Sequence, residues 1–254
     1  MLRALYTSAT GMKAQELMID NTANNIANVN TTGFRRSRMD FADLVYTNYL
    51  RPGSQVSAGQ VSPTGLQIGN GVRVVGTTKH FAQGTMEQTG NPLDVAIEGE
   101  GFFQVILPNG ETRYTRAGAF RIDSNGAIVN ADGYLLTPNL TIPQGTDITK
   151  ITIAADGTIQ GSQSGTDTAP TTLGQIQIAS FLNPAGLSSE GSNLFAQTPA
   201  SGQAVLGFGG TQGYGLLRQS FLEGSNVEVV TELISLISAQ RAYEFNSRAI
   251  RAGD

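Results

Sequence analysis

The chain has 254 residues, with sixteen basic and twenty acidic side chains, a formal net charge of −4, one histidine and no cysteine. The missing cysteine excludes disulfides and thiolate metal sites, and the lone histidine, His80, excludes a paired-histidine metal centre. The basic residues form no stripe of the kind that neutralises phosphates, so nucleic acid is not an expected partner.

The length suits one or two domains with a sizeable core. The most apolar stretch, Leu233-Ile234-Ser235-Leu236-Ile237, is interrupted and far short of about 18 residues, so no stable membrane insertion is expected. The first residues carry Arg3 but no apolar run behind it, so a cleaved secretory signal is not expected either.

In chain order, the first element reads as a helix over 2 to about 29. Leu2, Leu5, Ala9, Met12, Ile19, Ala23 and Ile26 share one arc at about 100° per residue, with Glu16 as the single miss. Asn21, Asn24, Asn25 and Asn28 form a ridge roughly opposite that arc. Asparagine is a mediocre helix former, so four in one ridge point to a face that exchanges hydrogen bonds with other protein. A frayed, Asn-rich helix end is the plainer alternative. Gly33 suits the stop that follows.

Residues 34 to 85 form a third zone between helix and β body. Phe41, Leu44, Val45 and Tyr46 suggest a short amphipathic turn or helix. The run from Arg51-Pro52-Gly53-Ser54 through Ser62-Pro63-Thr64-Gly65 is polar and turn-rich and reads as a long loop or linker. Leu66 to Val75 alternates about Gly69-Asn70-Gly71, which predicts a hairpin there.

The middle of the chain reads as strand. Asn109-Gly110, Asn125-Gly126, Asp132-Gly133 and Asp156-Gly157 tolerate the positive φ of tight turns. Between and beyond them lie the runs 101–107, 126–129, 134–136, 151–153, 175–181 and 215–220. Residues 86 to about 204 are therefore expected to form an antiparallel β domain of short hairpins.

A second amphipathic helix is predicted over 227 to about 251. Val229, Val230, Leu233, Ile234, Leu236, Ile237 and Tyr243 spread over a wide arc, Ser225 or Asn226 offers an N-cap, and early Glu with late Arg suits the helix dipole. The fold class expected is α+β. An antiparallel stem of the N- and C-terminal helices, each about 40 Å long, carries a mainly antiparallel β middle domain and an extended brace or hairpin segment. Such a lone helix pair buries one seam only, which leaves the Asn ridge and the Leu17–Met18 flank needing partners. The expected division is 1–31 with 226–254 as a coiled-coil-like inner domain, 32–85 with 205–225 as a connecting domain, and 86–204 as an outer β domain.

Chemistry finds little footing. Glu98 and Glu100 share a strand face and could in principle serve a glycosidase acting on cell-wall glycan, but a solvated turn is the plainer reading. Asp123, Asn125 and Gly126 lack the later positions of a calcium loop. The segment 207–213 has Gln212 where a dinucleotide fingerprint needs its third glycine. No catalytic residue, cofactor or metal is expected. An adhesin would explain Gly- and Thr-rich strands but not paired terminal helices.

The collected motifs resemble one family. Residues 8–15 (SATGMKAQ) and 24–34 (NNIANVNTTGF) match the N-terminal signature of bacterial flagellar rod and hook proteins, 91–103 (NPLDVAIEGEGFF) resembles their central motif, and Ser225-Asn226-Val227 with 240–247 (QRAYEFNS) resembles their C-terminal one. The likeness runs essentially end to end. The segments 41–46, 51–53 and 65–72 follow the pattern of the distal-rod branch, with the proximal-rod and hook branches as nearest alternatives. Family members usually continue for several helical residues beyond the position of Asp254.

The resemblance implies a non-enzymatic subunit of a rigid hollow drive shaft, assembled helically from copies of the chain, enclosing an export channel and carrying torque from motor to hook. It implies exit by the flagellar type III export machinery and residence in the basal-body rod crossing the periplasm. The partners it implies are the proximal-rod proteins, the hook protein and the surrounding ring bushing. Inner-helix assembly residues would be Leu2, Leu5, Met12, Ile19, Asn24, Asn25, Ile26, Asn28, Val229, Leu233, Leu236, Ile237 and Tyr243. Tyr46, Arg51, Pro52, Gly53 and Pro63 would belong to the brace.

Overall fold

The computed structural model describes the chain apart from Met1, Ser54, Ala58, Gly59, Ser62, residues 163–169, Gln212 and Asp254. The side chains of Leu2, residues 55–57, 60–61 and Gly253 also lie outside the description. The described residues divide into two compact units, the first comprising Met1–Ala27, Ser37–Lys79 and Glu228–Asp254, the second Asn28–Arg36 and His80–Val227.

The first unit holds helix α1 (Leu2–Ala27), six strands and helix α2 (Val229–Gly253). The helices lie antiparallel, since Asn25 meets Glu232 near one end and Gly11 meets Asn246 toward the other. The strands are β1 (Ser37–Asp43), β2 (Tyr46–Leu50), β3 (Gln55–Ser57), β4 (Gln60–Val61), β5 (Leu66–Gly69) and β6 (Val72–Lys79). Their pairings are nested: β1 with β6, β2 with β5, β3 with β4, all antiparallel. Residues 37–79 therefore form one long, interrupted two-stranded arm.

This arm corrects three local expectations. Phe41, Leu44, Val45 and Tyr46 are no helical turn: Phe41 belongs to β1, Tyr46 to β2, and Leu44 and Val45 are the break between them. Alternate apolar residues over so short a run fit either period, and pairing with a partner strand decides for extension. Gly69-Asn70-Gly71 is not a hairpin turn, because β5 and β6 follow one another along the same side of the arm. Asn70 instead donates to the Val45 carbonyl at 2.7 Å, across the break in the opposite strand. Within 51–65, expected as a loop, β3 pairs with β4 at the arm's far end. Gly65 is required there, since a Cβ would lie 2.6 Å from the Leu50 carbonyl oxygen.

The second unit is the β body. Its strands are β7 (Met86–Gln88), β8 (Val95–Glu98), β9 (Phe102–Ile106), β10 (Thr112–Thr115), β11 (Arg121–Ile122), β12 (Ile128–Val129), β13 (Leu135–Leu136), β14 (Thr152–Ile153), β15 (Thr158–Gly161), β16 (Thr171–Gln175), β17 (Ile178–Ser180), β18 (Ser188–Gly191), β19 (Leu194–Ala196), β20 (Val205–Gly207), β21 (Leu216–Gln219) and β22 (Phe221–Glu223). Among the described residues β9 to β13 and β17 to β20 make a nine-stranded antiparallel sheet with β9 at its centre. β14, β15 and β16 make a smaller sheet, and β21 and β22 return to pair with β8 and β7. The four Asn-Gly and Asp-Gly dipeptides lie in the links β9–β10, β11–β12, β12–β13 and β14–β15, each glycine at positive φ. One apolar cluster gathers Val95, Ile97, Phe103, Phe120, Leu136 and Ile178 from several of these strands. A second stacks Phe102, Tyr114, Phe181 and Phe195 edge to face, with ring centroids 4.7 to 6.0 Å apart.

Candidate assembly surface

The seam between α1 and α2 is not made by the apolar arcs. On α1 the buried positions are Ala14, Thr22 and Asn25, and on α2 they are Glu232 and Ala239. Gly11 approaches Asn246 so closely that a Cβ would lie 2.9 Å from its Nδ2. The seam is thus built from small and polar side chains. The Asn ridge supplies part of it: Asn25 donates to Glu232 Oε2 at 3.2 Å and to the Ser37 carbonyl at 2.9 Å, and Asn21 donates to the same carbonyl at 2.9 Å.

The apolar residues turn outward. Val230 is 64% exposed, Ile234 61% and Phe245 66%, while Val229, Leu233, Ile237 and Tyr243 are exposed as well. Along α2 most of these residues lie roughly opposite Glu232 and Ala239, at 100° per residue. Leu236, on the edge of the seam, is half-buried. On α1, Leu5, Met12, Ile19 and Ile26 are half-buried, and Ala9 and Ala23 of the same arc are exposed. Asn24 is exposed on its helix. Leu2 starts α1, and its side chain lies outside the described residues. Exposed apolar side chains in this number on one helix face mark an interaction surface rather than scatter.

The arm continues the pattern. Val45, Tyr46, Tyr49, Leu50, Leu66 and Ile68 are exposed, as are Arg51, Pro52, Gly53 and Pro63. Near its base, Ser37 is held by Asn21 and Asn25, and Thr10 of α1 packs against Gly71. Arg3, near the start of α1, donates to Tyr49, Thr47 and Asn70, and its guanidinium lies over the Tyr49 ring. A cleft of about 280 Å³ lies between α1 and β6, lined by Thr10, Lys13, Leu17 and Val72 among others.

In the β body, Asn28 accepts from the Thr31 hydroxyl at 3.1 Å and opens the loop that carries Gly33 and Arg35. Arg35 and Glu223 form an ion pair at 2.6 Å with both side chains fully buried. Arg116 reaches the other carboxylate oxygen at 3.2 Å and donates to the carbonyls of Gly99 and Gly101. Burial lowers the Arg116 guanidinium to about 10, against the pull of Glu223, which favours its charged form. Sequence reasoning missed this knot. Its only trace was position, since Arg35 closely follows the N-terminal signature and Glu223 closely precedes the C-terminal one.

The residues weighed for chemistry lie elsewhere. Glu98 pairs with Arg218 across β8 and β21, and Glu100 sits in the turn between β8 and β9. Asp123 accepts from Ser124 and Asn125 within a tight turn. Gln212 of the glycine-rich segment is outside the described residues. Among the described residues no group of three or more His, Cys, Asp or Glu could hold a metal ion, and no helix is long and apolar enough to cross a membrane.

Comparison with known proteins adds a decisive likeness. Residues 5–35 match the family model for the flagella basal body rod protein, 96–161 that for the flagellar hook protein FlgE/F/G D1 domain, and 218–254 that for the flagellar basal body rod FlgEFG protein C-terminal. The flagellar basal-body rod protein FlgG of Caulobacter vibrioides is 48% identical over 254 residues, and that of Borreliella burgdorferi 46%; each alignment covers all of this chain and 96% of the relative. The flagellar hook-basal body complex protein FlhP of Bacillus subtilis is 31% identical over 265 residues.

The chain belongs to the flagellar basal-body rod protein family. Its place is the flagellar basal body, and its function is that of a structural rod subunit of the distal-rod type. Membership in this rod family makes it a structural building block. The rod family's N- and C-terminal models cover residues within α1 and α2, and its D1 model falls on the β body between them.

Proposed function

We propose that this rod subunit polymerises with copies of itself into a stiff hollow shaft, and that the outward apolar faces of α1 and α2 are the surfaces that join the copies. The observation that carries this reading is the inverted stem. Small and polar residues meet inside the helix pair, while Val230, Ile234 and Phe245 face outward at more than half exposure. Burying such side chains is worth about 1.5–3 kcal/mol each, so neighbours that cover this face stabilise a pair whose own seam is weak. Residues 1–31 with 226–254 would then form the inner tube around an export channel, 86–204 the outer layer, and 32–85 with 205–225 the connection between them.

The inner-helix residues Leu5, Met12, Ile19, Asn24, Ile26, Val229, Leu233, Leu236, Ile237 and Tyr243 are the assigned joining set. The arm, with Tyr46, Arg51, Pro52, Gly53 and Pro63, serves as a brace against adjacent copies. Its exposed aromatic and aliphatic residues support that role. Torque passes through many parallel contacts, from proximal-rod proteins at one end to hook protein at the other, inside a ring bushing. Delivery is by the flagellar export machinery.

Electron microscopy and sedimentation of the concentrated full chain test this. Rod-like polymers are expected from the parent and none from Ile234→Asp or Val230→Asp, with the circular dichroism of the β body unchanged. Polymers from both variants at the parent's concentration would overturn the assignment of this face.

A further inference from the structure

The stem poses a problem of register. The fully buried seam positions Ala14, Thr22 and Ala239 are small, and of the large side chains on or beside the seam Met18 and Leu236 are only half-buried, so few large knobs oppose a slide of one helix past the other. Among these residues stands a buried polar pair. Glu232 is 2% exposed and Asn25 1%. The Asn25 carboxamide has its hydrogen-bonding groups engaged: Oδ1 accepts from the Ser37 backbone N–H at 2.9 Å, and Nδ2 donates to the Ser37 carbonyl at 2.9 Å and to Glu232 Oε2 at 3.2 Å. Ser37 is the first residue of the arm. One side chain thus touches α2 and the arm root from its place on α1.

We propose that Asn25 is the positioning residue that sets the register of α1 against α2 and the departure point of the arm in a single arrangement. Any slide of the helices parts the carboxamide from Glu232 and leaves a buried carboxylate without that donor, a far greater loss than sliding Ala over Ala. Movement of the arm root breaks the two bonds to Ser37. A buried polar contact of this kind specifies geometry more than it stabilises. The inference deepens the proposed assembly, and rests on it for the consequence that copies with slipped stems present mismatched outer faces.

The chain has no cysteine, so a Thr22→Cys/Ser235→Cys background reports register directly. The two positions are level across the stem, because Gly11–Asn246 and Asn25–Glu232 fix a common axial offset. The full-length chain is treated with a short thiol–thiol cross-linker, with Asn25 intact, with Asn25→Asp, and with Asn25→Asp/Glu232→Gln. Polymer is measured by sedimentation in parallel. Asn25→Asp sets two carboxylates together and is expected to lower cross-linking roughly tenfold, in line with loss of a hydrogen bond to a charged acceptor, and to remove pelletable polymer. Near-ultraviolet circular dichroism of the β body stays unchanged. Adding Glu232→Gln, whose amide donates to the introduced carboxylate, recovers much of the cross-linking. Equal yields with and without Asn25, no cross-link in the parent, or no recovery in the double variant would each overturn the proposal. Efficient, Asn25-dependent cross-linking in a parent that forms no polymer would uphold it and refute the assembly reading instead.

Discussion

The guanidinium of Arg35 lies 2.6 Å from the Glu223 carboxylate with neither side chain exposed, and the pair joins the loop after the N-terminal helix to the strand before the C-terminal one. Glu223 also accepts from the Gly84 N–H at 2.9 Å, and its backbone carbonyl accepts from the Gly33 N–H at 2.8 Å. The β body therefore ties its own first and last segments to each other. Glu223→Gln removes the carboxylate that the buried Arg35 and Arg116 guanidinia share. It is expected to cost about 3–5 kcal/mol, read as a lower denaturant midpoint with unchanged slope. Arg35→Met costs less, because Arg116 keeps Glu223 paired.

Gly33 has φ of +72°, and a Cβ there would sit 2.5 Å from the backbone nitrogen of Ala117. Gly33→Ala meets both left-handed strain and a backbone clash, and is expected to cost about 2–4 kcal/mol. Thermal unfolding of the purified chain checks it; a midpoint equal to the parent's would show that the loop relaxes without loss.

Gly11 gives a contrasting case. Its neighbour is the flexible end of Asn246 rather than backbone, and its conformation is helical. Gly11→Ala is expected to be neutral or to stabilise by up to about 1 kcal/mol through helix propensity. Gly11→Leu overfills the seam and is expected to cost about 1–3 kcal/mol. Helical circular dichroism through a thermal melt separates the two substitutions.

The turn between β14 and β15 predicts an acid response. Asp156 accepts from the Thr158 backbone N–H at 3.0 Å and from its hydroxyl at 2.8 Å, and these bonds hold its carboxyl below the ordinary value. A depressed folded pKa contributes stability that is present above the unfolded value and lost as pH falls through the folded one. Protection of the Thr158 amide against hydrogen exchange is thus expected to hold above about pH 4 and to fall below it. In Asp156→Ala the same amide is expected to be weakly protected at all pH values.

How much of this was legible in sequence differs by element. The four Asn-Gly and Asp-Gly dipeptides announced their turns because positive φ is a local demand that few residues meet. The terminal helices were legible from their 3.6-residue periodicity. The arm was misread about Gly69-Asn70-Gly71, because a strand records that it pairs but not with which partner, and the partner lies well back in the chain.

The amino-acid sequence on its own determined the two terminal helices, the Asn-Gly and Asp-Gly turns of the β body and the family, all of which rest on local conformational preference or on motif order. Tertiary structure decided which helix face lies inside. Amphipathicity predicts that an apolar arc will be covered, but not by what, and here the helix pair closes over Ala14, Thr22, Asn25, Glu232 and Ala239 and leaves Val230, Ile234 and Phe245 outside. It also decided the meeting of Arg35, Arg116 and Glu223, since charges far apart in the chain can compensate each other in a dry interior only once the fold has brought them within reach.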